Sequence, residues 1–229
     1  MNISEIFYSI QGEGPSVGRP SIFLRVATCN LSCKWCDTKD IMHIKNSNKI
    51  EVRELSSIIQ KLSYDNRCSN LVITGGEPLL VQNDLIELLS IFEYNLTYFN
   101  KIEIESNATV FPEEGLIKHI DQFNFSPKLS SAQSKYVFCS SIIEKFVDLA
   151  KKNKVVCFKF VVSDKQDIVE IIETYSRIVP RELIWLMPCG ASQEELRGAY
   201  PIVADYCKSF GFNFSPRLHV DIWDKKTGV

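Results

Sequence analysis

Apolar and polar residues follow two rhythms that alternate along this chain. Short apolar or alternating runs mark extended segments, and apolar spacing near 3.6 marks helices. Residues 21–27, with Ile22, Phe23, Leu24 and Val26, predict a first strand. Val52, Leu55, Ile58, Ile59 and Leu62 then fall at helical spacing. Further strands are predicted over 70–73, 101–105, 122–125, 155–162 and 183–186, the 155–162 run being rich in β-branched and aromatic residues. Helices are predicted over 83–92, 112–120 (opened by Pro112), 140–152, 165–178 and 193–210. A last extended segment is expected over 213–220.

Six strands separated by helices argue for parallel βαβ units. Eight would close a barrel of roughly 250 residues. Six in a chain of 229 residues predict an α/β fold built as an incomplete, open βα barrel. A doubly wound open sheet is the alternative, and periodicity does not separate the two. No repeat, low-complexity stretch or Pro/Gly/Ser-rich linker interrupts the pattern, so 1–229 reads as a single domain.

The residues that follow the strands are chemically distinctive. Cys29 follows the first, Thr74-Gly75-Gly76-Glu77 the second and Ser106-Asn107 the third. Ser126-Pro127-Lys128 follows the fourth, Ser163-Asp164 the fifth and Met187-Pro188 the sixth. In barrels and open α/β sheets, active sites form at these carboxyl ends.

Composition narrows the chemistry. Hydrophobic residues make up 45% and charged residues 24%, with a formal net charge of −2. That is a globular balance, and its near-neutral charge gives no counterion-release grip on nucleic acid. A small-molecule substrate is favoured. No run approaches the roughly 18 apolar residues of a membrane span, and the Met1-Asn2-Ile3-Ser4-Glu5 start lacks the basic and apolar regions of a signal peptide. The expectation is a cytoplasmic protein. Its eight cysteines are then not four disulfides.

Cys29, Cys33 and Cys36 stand on one short predicted loop. Thiolates so spaced can converge on one iron–sulfur cluster, and three of them leave one iron open for a ligand. Two other readings stand beside this one. A zinc site would need a fourth ligand such as His43. An electron-transfer cluster would recruit Cys68, Cys139, Cys157, Cys189 or Cys207. Otherwise those five read as small buried hydrophobes.

Other residues carry weaker signals. Gly75 and Gly76 permit close backbone approach to a ligand, or merely end a strand. Ser126 and Lys128 offer a hydroxyl and a cation to the mouth, or form a solvated loop. Thr38 is a turn hydroxyl or an oxygen ligand for Mg²⁺. Arg25 lies in an apolar strand and needs a partner, either a protein carboxylate or an anionic substrate.

The spacing Cys29-x3-Cys33-x2-Cys36 after a first strand, with aromatic Trp35 before the last cysteine, resembles the radical S-adenosylmethionine superfamily. Within it, Gln11-Gly12-Glu13-Gly14, Arg25, Cys36-Asp37-Thr38, Thr74-Gly75-Gly76-Glu77-Pro78, Ser126-Pro127-Lys128, Met187-Pro188 and Ser215-Pro216-Arg217-Leu218-His219 resemble the 7-carboxy-7-deazaguanine synthase family. The resemblance runs from about residue 3 to 229. Cys189, where relatives often carry an acidic residue, and Asp224-Lys225, where Gly-Asn is usual, depart from it.

The resemblance implies Mg²⁺-dependent conversion of 6-carboxy-5,6,7,8-tetrahydropterin to 7-carboxy-7-deazaguanine with loss of ammonia, in queuosine biosynthesis. It implies a [4Fe-4S] cluster on Cys29, Cys33 and Cys36, with S-adenosylmethionine on the open iron. Gly76 and Glu77 would meet its methionine end. Trp35, Asp37, Ser126, Pro127, Lys128, Met187 and Pro188 would border the rest of it. Ile10, Gln11, Gly12 and Thr74 would border the pterin, Arg25 would pair with its carboxylate, and Thr38 would bind Mg²⁺. A flavodoxin-type electron donor and a homodimer are also implied. The rivals are an activase of glycyl-radical enzymes, which acts on a protein, and a non-enzymatic metal module.

Overall fold

The computed structural model describes residues 1–38, 47–68, 70–95, 99–226 and 228. Among them a nine-stranded sheet runs in the order β3-β1-β2-β4-β5-β6-β7-β8-β9. The strands are β1 (Asn2–Ile10), β2 (Pro20–Val26), β3 (Asn48–Lys49), β4 (Asn70–Gly75), β5 (Lys101–Ser106), β6 (Gln122–Phe125), β7 (Val155–Val162), β8 (Ile184–Pro188) and β9 (Asn213–Phe214). From β2 to β9 each neighbouring pair is parallel. β1 runs antiparallel to β2, and β3 antiparallel to β1.

This order settles the open alternative. A doubly wound sheet reverses its strand order at a switch point. Here β2, β4, β5, β6, β7, β8 and β9 follow one another without reversal, and β3 and β9 end the sheet unjoined. The fold is the expected open, partial barrel, and the six predicted parallel strands are its centre.

The helices are α1 (Val52–Asn66), α2 (Gln82–Tyr94), α3 (Glu114–Ile117), α4 (Ser140–Ala150), α5 (Lys165–Glu170), α6 (Gln193–Phe210) and α7 (Leu218–Trp223). They cover the outer face, where Leu24, Ile73, Ile104, Phe125, Phe158 and Leu186 form part of one continuous core. Residues alternate across a strand, so the intervening positions face inward. No helix among the described residues is long and apolar enough to cross a membrane.

Four expectations change. The strand β1 was not anticipated: a bulge between Ile3 and Glu5 breaks its alternation, so the period of two never shows. The helix expected over 112–120 shrinks to Glu114–Ile117. The helix from Lys165 passes after Glu170 into a π-helical turn over Ile171–Tyr175. The segment expected to be extended over 213–220 is a two-residue strand followed by the helix α7.

Candidate active site

The inner face and the loops after the strands enclose a cavity of about 910 Å³. Strands β2 and β4–β8 contribute Arg25, Thr74, Glu105, Asn124, Lys159 and Met187 to its wall. The cysteine loop contributes Cys29, Cys33, Trp35, Cys36, Asp37 and Thr38. Ile10, Gln11, Gly12, Gly76, Ser126, Lys128 and Pro188 complete the set of sequence-predicted residues that border it. Two predicted residues, Glu77 and Pro127, do not.

The cysteine loop is held by ties to several segments. Gly76 N donates to Val26 O at 2.9 Å and Glu77 N to Thr28 O at 2.6 Å. A Cβ on Gly76 would lie 2.0 Å from Thr28 O, and one on Gly75, at φ +118°, 2.3 Å from Val26 O. The paired glycines therefore seat the turn against the start of the cysteine loop. Both glycines also border the cavity, where the ligand approach expected from sequence would take place.

Glu77 works from beneath. Its fully buried carboxylate accepts from Leu79 N at 3.0 Å, Ser106 Oγ at 2.9 Å and Asn107 N at 2.6 Å. Burial pushes this carboxyl up, and the bonds from Asn107 and Leu79 oppose the shift. Asn107, fixed in this way, donates to Asn30 Oδ1 at 2.9 Å. Further along the loop, Lys34 N donates to Ala132 O at 2.8 Å.

The solvated-loop reading of Ser126-Pro127-Lys128 does not hold. Lys128 Nζ donates to Ser126 Oγ at 2.9 Å and lies 5.5 Å from the centre of the Trp35 ring. Burial pushes its pKa down, partly opposed by Cys33. Arg25 has a protein partner: its Nε bonds Glu5 Oε2 at 3.0 Å, and its guanidinium lies 5.9 Å from the Phe7 ring centre. Gln11 is buried and donates to Glu105 Oε1 at 3.1 Å, while Thr74 Oγ1 donates to Glu105 Oε2 at 2.7 Å. Thr38 Oγ1 lies 3.6 Å from Cys36 Sγ.

A charge cluster, buried at Lys159 and Arg217 and open to solvent at Asp37, joins these parts. Glu13 pairs with Lys159 and, at 3.1 Å, with Arg217 Nε; Arg217 also pairs with Asp37. Burial alone would raise Glu13, but Lys159 and Arg217 outweigh it and hold the carboxylate well below its usual range. His219 stands 4.0 Å from Glu13, and burial pushes its pKa down. Sequence reasoning gave Glu13, Lys159, Arg217 and His219 no role. Lys159 carried a usable signal, because a lysine inside an apolar strand needs a partner as Arg25 does.

Residues 10–114 match the family described as a 4Fe-4S single cluster domain. Two curated relatives span the whole chain. The 7-carboxy-7-deazaguanine synthase of Pyrobaculum aerophilum is 33% identical, covering 100% of this chain and 97% of its own length. That of Clostridium acetobutylicum is 34% identical, covering 99% and 98%. The chain belongs to the 7-carboxy-7-deazaguanine synthase family. A crystal structure of QueE from Escherichia coli superposes with a TM-score of 0.68 at 24% identity, covering 95% of this chain and 94% of that one. It shows the same partial-barrel fold.

Membership in this family implies iron–sulfur chemistry, and the donor set can be tested against it. Cys29, Cys33 and Cys36 are free thiols. Burial raises Cys29 and Cys33, and each of the two feels the charge of Cys36. No group of three or more His, Cys, Asp or Glu among the described residues is gathered tightly enough for one metal ion. A polynuclear cluster differs, since each thiolate binds a different iron and the sulfurs stand apart. The described residues thus offer no zinc site, and His43 lies outside them.

The remaining cysteines separate. Cys68, Cys157 and Cys207 are buried, whereas Cys139 and Cys189 are partly exposed and depart from the buried role expected of them. Cys189 borders the cavity; burial pushes its thiol up, Arg217 opposes this, and Asp167, Glu195 and Asp37 reinforce it. Trp35 Nε1 is buried with no hydrogen-bond partner among the described residues. The residues present fit a three-thiolate cluster with a polar ligand alongside.

Proposed function

We propose that this chain converts 6-carboxy-5,6,7,8-tetrahydropterin to 7-carboxy-7-deazaguanine with loss of ammonia, in the biosynthesis of queuosine and related 7-deazapurines. One observation carries the reading: the three-thiol loop and the Gln11-Gly12-Glu13 turn border a single cavity. Its volume lies in the range of small-molecule sites, which favours a pterin over the protein substrate of a glycyl-radical activase.

When bound, the [4Fe-4S] cluster and S-adenosylmethionine supply one-electron cleavage and a carbon radical that takes hydrogen from the substrate. Cys29, Cys33 and Cys36 hold the cluster. The Gly76 backbone meets the methionine end of S-adenosylmethionine. Trp35, Asp37, Ser126, Lys128, Met187 and Pro188 border the rest of it. Glu77 serves indirectly, by fixing Ser106 and Asn107 beneath the loop.

Ile10, Gln11, Gly12 and Thr74 border the pterin. Arg25 binds the pterin carboxylate with its terminal nitrogens, while Glu5 holds its Nε. Thr38 Oγ1 is the oxygen ligand to Mg²⁺, which the substrate completes. The chain's own contribution is orientation and exclusion of water, which keep a reactive intermediate on one course. A flavodoxin-type protein supplies the electron, and the enzyme works in the cytoplasm as a homodimer of single-domain subunits.

The test is an anaerobic assay of reconstituted protein with S-adenosylmethionine, reductant, Mg²⁺ and 6-carboxytetrahydropterin, read by mass spectrometry. 7-Carboxy-7-deazaguanine is expected, and Cys33→Ala abolishes it. Formation of 5′-deoxyadenosine alone would refute the substrate assignment.

A further inference from the structure

The tail residue Arg217 is the most connected cation of the cavity wall. Its guanidinium reaches three separate segments. Nε bonds Glu13 Oε1 at 3.1 Å, NH1 donates to Gly190 O at 2.5 Å, and NH2 bonds Asp37 Oδ2. Glu13 is 204 positions away in sequence and Asp37 is 180. Arg217 is 7% exposed.

The segment that carries Arg217 is itself anchored on both sides. Ser215 N donates to Leu186 O at 2.8 Å, and Ser215 Oγ accepts from Gly14 N at 2.8 Å. Arg217 N donates to the Tyr200 hydroxyl at 2.9 Å, which donates to Asp221 at 2.6 Å. Leu218 N donates to Gly12 O at 2.9 Å. The tail is therefore fastened along the Gly12–Gly14 turn before its side chain reaches the cysteine loop.

The start and middle of that loop have other holds, at Thr28, Asn30 and Lys34. Past Cys36, the tie to another part of the chain among the described residues is Asp37 to Arg217. Asp37 is adjacent to Cys36. A guanidinium fixes three acceptors in a planar fork, which a lysine ammonium cannot reproduce.

We propose that Arg217 is a positioning residue that sets the separation between the Gln11-Gly12-Glu13 turn and the end of the cysteine loop. It thereby aligns the cofactor side of the cavity with the substrate side. The alignment role rests on the proposed function; the tether itself does not. Loss of Arg217 leaves Glu13 with Lys159, so the main mechanical consequence falls on the Asp37 arm.

Two readouts test this. In the full-length chain before cluster reconstitution, hydrogen–deuterium exchange over residues 29–38 is compared for wild type, Arg217→Gln, Asp37→Ala and the double variant. Each single variant is expected to speed exchange about two- to fivefold, the worth of an ion pair whose Asp37 side is half exposed, and the double variant no more than either. Unchanged exchange in the single variants overturns the tether. Should Arg217→Gln fail to fold, Asp37→Ala cuts the same arm and decides the matter.

In reconstituted enzyme, the variants that loosen the loop are expected to raise the ratio of 5′-deoxyadenosine to 7-carboxy-7-deazaguanine while retaining their iron. An unchanged ratio overturns the alignment role. A wild-type enzyme that cleaves S-adenosylmethionine but makes no deazaguanine overturns the proposed substrate and leaves the exchange result to judge the tether.

Discussion

The two faces of this sheet are one residue apart and chemically opposite. On the outer face, Leu24, Ile73, Ile104, Phe125, Phe158 and Leu186 pack beneath the helices. On the inner face, their immediate neighbours Arg25, Thr74, Glu105, Asn124, Lys159 and Met187 wall the cavity. Parallel strands are usually apolar on both faces. Here burial on the outer face drives folding, whereas the inner face needs a partner for nearly every polar group it buries. Glu105 has Gln11 and Thr74, and Lys159 has Glu13. Such pairs roughly break even against hydrophobic packing, so their retention points to chemistry rather than stability.

Phe158→Ala and Lys159→Met sharpen this contrast most. Phe158 is fully buried, 5.7 Å from the Phe125 ring, and its truncation is expected to cost about 3–5 kcal/mol in denaturant unfolding. Product formation per folded molecule should stay unchanged. Lys159→Met strips a partner from the buried Glu13 carboxylate and is expected to cost about 3 kcal/mol and to abolish product as well.

The pH dependence has a definite sign. Glu13 is depressed and Lys159 raised in the folded state. Their contribution is therefore present in full above the unfolded glutamate pKa and below the unfolded lysine pKa. It is lost as pH falls through the depressed folded value of Glu13. The stability gap between wild type and Lys159→Met should persist across neutral pH and close only in strong acid. A variant as stable as wild type would break the contrast.

The outer face was legible because its signal is local. The predicted bounds 122–125, 155–162 and 193–210 coincide with β6, β7 and α6. The cysteine loop was legible for the same reason, its thiols lying within eight residues. The charge cluster was not, since Glu13 and Arg217 meet across 204 positions and no spacing rule reaches that far. Nor was the seat of Gly75 and Gly76 against Val26 and Thr28, because a glycine pair announces close approach without naming what approaches. β1 was lost to its bulge, and α7 to the Pro216 that precedes it.

Gly12→Ala tests where the inner face meets the tail. Its Cβ would lie 2.1 Å from His219 Nδ1 and 2.9 Å from the His219 backbone nitrogen. A side chain can turn away, but a backbone atom moves only with the tail. The expected penalty is about 1–3 kcal/mol of overpacking, read by thermal unfolding. The accompanying loss of product should exceed what that destabilisation explains. Unimpaired turnover would mean that the tail need not sit on the Gly12 turn for catalysis.

The smallest effect should come from Glu103, which faces inward below the cavity. It is fully buried; its Oε2 accepts from Gln122 at 3.0 Å and Asn124 at 3.2 Å, while Oε1 has no hydrogen bond. Burial raises its pKa above the ordinary 4.5, and the charge of Lys101, 3.8 Å from Oε1, with the bond from Asn124 only partly opposes this. As pH rises, the unfolded chain loses this proton before the folded chain does, so the ionised group subtracts stability above the unfolded pKa. A glutamine keeps the oxygen that Gln122 and Asn124 address and removes the buried charge. Glu103→Gln should therefore melt with wild type near about pH 4 and slightly above it near about pH 8. A variant less stable than wild type at the higher pH would show that this carboxylate holds the inner face together, and the division of labour between the two faces would fail at its lowest point.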